Sequence, residues 1–186
     1  MAYQFPYRIS LISTQTASSS ASLSFTAGIS ANFTSYLIKI RNLVPATTST
    51  QILMTWSTNG GSSYLATNYL YSNFQNDSGA TRTYGKSAGT TTSIPITLAT
   101  VSTTAGRDVN SDIILYGLNS ATFVPKCMFH STYYNSAATP LAVQIIGGGM
   151  NSGVAAVNAV KFAMSSGNIS SGTISLYGLS DGGFIY

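Results

Sequence analysis

The segment Val160–Leu179, with the sequence VKFAMSSGNISSGTISLYGL, decides the fold class. Apolar residues occupy every second position in its first part, and the same alternation returns around Ser175. Between these parts, Ser165–Asn168 has the composition of a turn. Because residues two apart lie on the same face of a β-strand, the segment predicts two strands, each with one apolar face.

Similar alternation recurs along the whole chain, and turn-forming residues separate the runs. In Tyr36–Arg41 the isoleucines share one face, and Lys39 and Arg41 point the other way. We count about eleven runs and predict an all-β chain, an antiparallel β-sandwich of jelly-roll type. It is expected to form a single domain over residues 1–186. The residues predicted to form its core are Ile38, Ile40, Ile52, Met54, Trp56, Val143, Phe162, Ile174 and Leu176.

Two glycine-containing segments are predicted to be turns. Asn59–Ser62 follows the run that ends at Trp56, and its two glycines suit the positive φ angles of a tight hairpin. Gly147–Gly149 follows an apolar run, as a phosphate-binding loop would. However, it lacks the Lys-Ser/Thr ending of such a loop, so we predict a flexible turn.

Charged residues are few. Of 186 residues, 8 are Lys or Arg and 4 are Asp, there is no Glu, and Ser and Thr together number 52. Ordinary domains carry about 25% charged residues, whereas this chain has 6%. This composition excludes coiled coils, and a single cysteine excludes a disulfide framework. The eight cations are scattered, which argues against a nucleic-acid partner.

Residues that could act in catalysis or bind a metal ion are equally few. Cys127 and His130 are three apart, so in a strand their side chains diverge and cannot form a nucleophile–base pair. Asp108 and Asp112 are the closest acidic pair, too few ligands for a calcium site. We therefore predict no enzyme activity, no catalytic or metal-binding residue and no cofactor.

Neither a signal peptide nor a membrane-spanning segment is expected. The first residues lack a basic stretch followed by an apolar run, and no stretch of about 18 apolar residues occurs.

Aromatic side chains are the most numerous candidates for contacts with a ligand or partner, and the chain has 12 Tyr, 8 Phe and 1 Trp. Trp56 shares a face with core residues and is expected inside. Tyr84 lies between two cations in a predicted glycine-flanked loop and is a candidate for surface contact. Tyr133 and Tyr134 are also candidates, because adjacent strand residues cannot both face the core.

The low charge predicts self-association. Interfaces are depleted in Lys, Glu and Asp and enriched in Tyr, Phe and Met, and this chain has that bias over its whole length. A neutral surface rich in hydroxyl groups protects poorly against association unless copies or partners cover it.

Two segments resemble virion proteins of tailed bacteriophages. Asn42–Thr47, Ile52–Tyr64 and Tyr69–Tyr71 are similar to a stretch that recurs in these proteins. Val160–Leu179 resembles the end of the jelly-roll head domains of tail fibres and related appendages. The resemblance covers roughly residues 35–71 and 155–180. It implies a β-sandwich, often trimeric, on a virion surface.

From these observations we expect a non-enzymatic structural protein located in a phage virion. It would be a homo-oligomer, with a trimer favoured by the resemblance, in a capsid decoration or tail fibre. Its partners would be copies of itself and other virion proteins, with a host-surface glycan as a further partner in host attachment. The alternative is a free-standing carbohydrate-binding module or adhesin that uses exposed tyrosines.

Overall fold

The computed structural model describes residues 7–79, 81–97, 101–153 and 156–181. Within these ranges the secondary structure consists of twelve β-strands. The strands are β1 (Tyr7–Thr16), β2 (Ser22–Phe25), β3 (Ser35–Pro45), β4 (Ile52–Ser57), β5 (Tyr69–Asp77), β6 (Arg82–Thr91), β7 (Ile94–Pro95), β8 (Val109–Tyr116), β9 (Lys126–Tyr134), β10 (Ala142–Asn151), β11 (Ala159–Met164) and β12 (Ile169–Asp181). The all-β prediction is confirmed. The count exceeds the predicted eleven by one, and β7 has only two residues, too few to show alternation.

The strands form two antiparallel sheets. The large sheet has eight strands in the order β1-β12-β3-β8-β9-β10-β5-β6, and the small sheet has four in the order β2-β11-β4-β7. The chain stays in one sheet only from β5 to β6 and from β8 through β9 to β10, and every other connection crosses to the opposite sheet. As a result, β1 pairs with β12 and β2 with β11, in nested fashion. This winding is that of a jelly roll.

The core lies between the two sheets, and all nine predicted core residues are buried there. Trp56 at the end of β4 is fully buried, and its ring lies 5.8 Å from that of Tyr69 on β5. The Tyr69 hydroxyl accepts a hydrogen bond from the Trp56 backbone N–H at 2.8 Å. The tyrosine therefore links one sheet to the other through both its ring and its hydroxyl group.

The predicted hairpin after Trp56 is wrong. Gly60 and Gly61 do have positive φ angles, of 69° and 86°. However, β4 pairs with β11 and β7 in the small sheet, while β5 lies in the large sheet. The turn therefore begins a crossing between sheets, because the alternation of β4 specifies its buried face but not its partner strand.

Gly147–Gly149 is the second wrong prediction. These residues lie inside β10 and pair with both β9 and β5. At these positions, atoms of the neighbouring strands leave no room for a side chain. A Cβ on Gly149 would lie 2.8 Å from the Leu70 carbonyl oxygen, and one on Gly148 would lie 2.9 Å from that of Cys127. The glycines thus permit close backbone approach within the sheet.

Candidate functional site

The outward side of the large sheet, which we call the outer face, carries an unusual share of apolar side chains. Nine large hydrophobic residues are exposed in the part of the chain that the structure describes. Eight of them lie on strands of the large sheet, and the ninth, Phe123, lies in the loop between β8 and β9. The eight are Ile9, Leu11, Tyr84, Tyr116, Met128, Tyr134, Ile146 and Met150.

The small sheet differs on its outward side. Apart from Leu53, which is half-buried, its strands present small, polar or charged residues there, namely Ser22, Ser24, Thr55, Lys161 and Ala163. Scattered exposed hydrophobic residues are normal on protein surfaces. Their concentration on one of two outward faces is the feature that marks the large sheet as the candidate functional surface.

Strand register aligns several of these side chains into one line. Leu11 pairs with Tyr177, Tyr177 with Leu37, and Leu37 with Ile114. Ile114 then pairs with Met128, and Met128 with Gly148. We call this line from β1 to β10 the apolar row. It contains no charged residue and crosses six adjacent strands.

A shallow groove adjoins the β10 end of the row, and we call it the glycine groove. Gly148 has no side chain, so the sheet surface is low at this point. Around it stand apolar and aromatic side chains that enclose a volume of about 640 Å³. The apolar part of the lining comprises Phe74, Tyr84, Met128, Ile146 and Met150, together with Gly147–Gly149. Ser72, Asn73 and Lys126 supply polar and charged groups to the lining. The Phe74 and Tyr84 rings are 5.2 Å apart and form one wall.

The charges near the apolar row are largely paired within the chain. Arg41 forms a salt bridge of 2.6 Å with Asp112, and its guanidinium also donates to the Ser111 carbonyl at 3.0 Å. The Lys39 ammonium lies 5.8 Å from the centre of the Tyr177 ring, within cation–π range. Lys126, two residues from Met128 on the same face of β9, has no such ion pair or ring contact among the described residues.

A polar cleft of about 470 Å³ lies at one end of the same face. Its lining includes Asp77, Asp108, Asn110, Tyr134 and Gln144. Both carboxylates already accept hydrogen bonds within the chain. Asp108 accepts one from the Asn110 side chain at 2.7 Å, and Asp77 accepts backbone N–H groups of Gly79 and Thr81. No group of three potential metal-ligating residues occurs among the residues that the structure describes.

The three predicted surface tyrosines have different environments. Tyr84 is 75% exposed, and it lies on strand β6 rather than in the predicted loop. Tyr134 is 46% exposed on β9. Tyr133 is only 5% exposed and belongs to the core, so its prediction as a surface contact residue is corrected. The alternation of β9 explains the difference, since adjacent residues take opposite faces. Tyr84 and Tyr134 are not brought together, because Tyr84 lines the glycine groove and Tyr134 the polar cleft.

Cys127 and His130 take opposite faces of β9, as their spacing predicts. Cys127 is buried, and burial raises the pKa of its thiol to about 12. His130 lies on the outer face, where its Nε2 is 2.7 Å from Gln144 Nε2. The thiol therefore has no imidazole beside it and is poorly suited to act as a nucleophile.

The sequence pattern did not lead us to predict Leu11, Met128 and Ile146 as surface residues. A usable signal was present, because apolar residues occupy consecutive positions in β8 and β10, as in Ile145-Ile146. In a strand, consecutive apolar residues place one side chain on each face. A strand of this kind in a sandwich therefore has an apolar outer face as well as an apolar inner one.

Comparisons with protein-family models, with curated proteins and with solved structures each found no match. In the described part of the chain, no helix is long and apolar enough to cross a membrane.

Proposed function

We propose that this chain is a non-enzymatic structural protein of a bacteriophage virion. It is a jelly-roll domain that assembles with copies of itself, in a trimer, and with other virion proteins in a capsid decoration or tail appendage. Attachment to a host-surface glycan is a further role of such an appendage. The residue pattern of Val160–Leu179 and its resemblance to appendage head domains supply the virion part of the proposal.

The observation that carries the assembly part is the position of the exposed hydrophobic residues. All eight that lie on strands are on the outer face of the large sheet. An apolar sheet face is costly to leave in water, and burial of apolar surface drives most protein association. Such a face is expected in a protein that neighbouring subunits cover in an assembly.

Quantitative mass spectrometry of purified phage particles tests the proposal. The particles are taken from a lysate in which this chain is produced. We expect the chain to remain with the particles through washing, at a fixed copy number that is a multiple of three. A chain that is abundant in the lysate but absent from the particles would overturn the virion assignment.

A carbohydrate-binding module is the second candidate, and one specific observation favours it. Tyr134 is exposed beside the amide and carboxylate groups of the polar cleft, and sugars bind to aromatic faces flanked by such planar polar groups. If this function holds, neutral oligosaccharides should bind to the wild-type chain and not to Tyr134→Ala. Tyr84→Ala, which changes a tyrosine outside the cleft, should bind them normally. Calorimetric titration of the three proteins measures this difference, and equal binding by all three would exclude the cleft as the sugar site.

A further inference from the structure

The apolar row stands out because the outward face of a β-sandwich is normally polar. Antiparallel sheets with one face in a core usually alternate between apolar inward and polar outward residues. Here the row keeps apolar side chains outward on five consecutive strands, from Leu11 on β1 to Met128 on β9. Leu11 is 59% exposed and Met128 is 60% exposed.

We infer that the apolar row is the surface through which two copies of this chain contact each other, outer face against outer face. This inference rests on the proposed function, because it specifies the surface for the self-association proposed there. The occupant is a second copy of the chain, and three properties of the row support this choice.

The first property is area. The eight strands of the large sheet, about 4.8 Å apart, span about 34 Å, and three rows of side chains extend about 20 Å along them. This gives about 700 Å² per copy and about 1,400 Å² for two copies, which is within the range of stable interfaces.

The second property is charge. The row itself is uncharged, Arg41 is paired with Asp112, and Lys39 lies against Tyr177. Within the row, a second copy would therefore meet no charged side chain. A nucleic acid would need a cluster of unpaired cations. The long side chain of Lys126, at the border of the row, can reach solvent at the rim of an interface.

The third property is shape. At the β1 end, Ile9 and Leu11 protrude from the sheet, and at the β10 end the glycine groove is concave. The two ends are about 24 Å apart, five strand spacings. One copy thus presents both a protrusion and a recess. In a reciprocal contact between two outer faces, Ile9 and Leu11 of each copy seat over the glycine groove of the other.

Charged substitutions in the row provide the test. Leu11→Lys and Met128→Lys change exposed side chains, so both variants should keep the wild-type circular dichroism spectrum and thermal unfolding midpoint. Each places an unpaired charge in the contact, so the dissociation constant of the oligomer should rise about 100-fold or more. Ser22→Lys is the control, because it adds the same charge to the outward side of the small sheet. Analytical ultracentrifugation over a dilution series measures all four proteins.

A second variant tests the seating of the protrusion in the groove. The double variant Leu11→Cys, Ile146→Cys should form disulfide-linked chains when oxidised with copper phenanthroline, and Leu11→Cys, Ser22→Cys should not. The native thiol of Cys127 is buried and does not compete.

The outcomes separate this inference from the proposed function. Row variants that fold and associate as tightly as the wild type would overturn the inference and leave the virion assignment intact. A wild-type chain that is monomeric would overturn the inference too, and would assign the face to another partner. Dissociated row variants, together with a chain absent from phage particles, would support the inference and overturn the virion assignment.

Discussion

Trp56 illustrates how single residues hold the two sheets together. It is fully buried, its ring packs against Tyr69, and its backbone N–H binds the Tyr69 hydroxyl. Its indole Nε1 has no hydrogen-bond partner among the described residues. Trp56 therefore stabilises the core through its apolar volume, and the unpaired N–H lowers that benefit.

Replacing this side chain should be costly. Trp56→Ala should lower the free energy of unfolding by about 3–5 kcal/mol, because it removes a large buried ring and leaves a cavity. Trp56→Phe should cost less, since it keeps a ring and removes the unpaired donor. Urea denaturation measures both effects, with the exposed Tyr84→Ala as a matched aromatic control that should change little. An unchanged midpoint for Trp56→Ala would contradict a buried tryptophan.

Buried thiol and phenol groups make stability depend on alkaline pH. Burial raises the pKa of Cys127 from 9.0 to about 12 and that of Tyr69 from 10.0 to about 12. In the unfolded chain both groups ionise near their ordinary pKa values, so above about pH 9 the unfolded state binds fewer protons than the folded state. The free energy of unfolding should therefore be flat at neutral pH and should fall as pH rises from about 9 towards 12.

Urea midpoints between about pH 7 and pH 11 measure this dependence. Cys127→Ala should flatten the part of the decline that begins near the ordinary thiol pKa. Tyr69 and Tyr36, whose pKa burial also raises, should account for the later part. A midpoint that rises over this interval would contradict the buried positions of these groups.

At the scale of elements, β3 and β12 show a local irregularity that fixes their register. Gly172 has a φ angle of 112°, and the register shifts on both sides of Ser171. A Cβ on Gly172 would lie 2.5 Å from the Cα of Leu43, which is backbone that cannot move aside easily. The irregularity is a β-bulge that requires glycine, both for its conformation and for space.

Gly172→Ala should therefore destabilise the fold by more than about 2 kcal/mol, through positive-φ strain together with the backbone clash. Gly60→Ala is the matched control. Gly60 also has positive φ, but no atom lies within 4 Å of a Cβ added there, so only about 1 kcal/mol of backbone strain should appear. Thermal unfolding midpoints of the two variants measure this difference. Equal midpoints would contradict the claim that Gly172 is required for space as well as for its conformation.

The alternation of apolar and polar residues determines how much of each strand can be predicted from the sequence. It identifies a strand and its buried face, which is why Ile38, Phe162 and Leu176 were placed correctly in the core. It does not specify the partner strand, so the crossing of the chain after Trp56 was mistaken for a hairpin. It also fails where side chains are absent, as in Gly147–Gly149 of β10.

At the scale of the whole molecule, the two sheets differ in what they show to solvent. The apolar row exists only because strands distant in sequence are paired in register, for example β1 with β12 and β3 with β8. No local pattern contains that information. The sequence therefore predicted self-association and three surface tyrosines, of which Tyr84 and Tyr134 are exposed, but not the surface that would carry the contact.

Hydroxyl-radical footprinting should detect coverage of this surface directly. Met128 and Met150 are exposed in the single chain and react readily with radicals, so their oxidation should decrease as protein concentration rises. Tyr64, which lies against Lys161 on the small-sheet side, serves as an internal reference whose labelling should stay constant. Equal protection of all three, or of none, would argue against a specific contact through the outer face.

The central claim is that this jelly roll associates with itself. Light scattering of the purified wild-type chain across a hundredfold dilution tests it most directly. We predict a closed oligomer that persists on dilution. The resemblance to appendage head domains predicts three times the chain mass of 19.5 kDa, whereas pairing of two outer faces on its own predicts twice that mass. A stable dimer would contradict the trimer but not the pairing of outer faces, and a mass of 19.5 kDa at every concentration would contradict self-association itself.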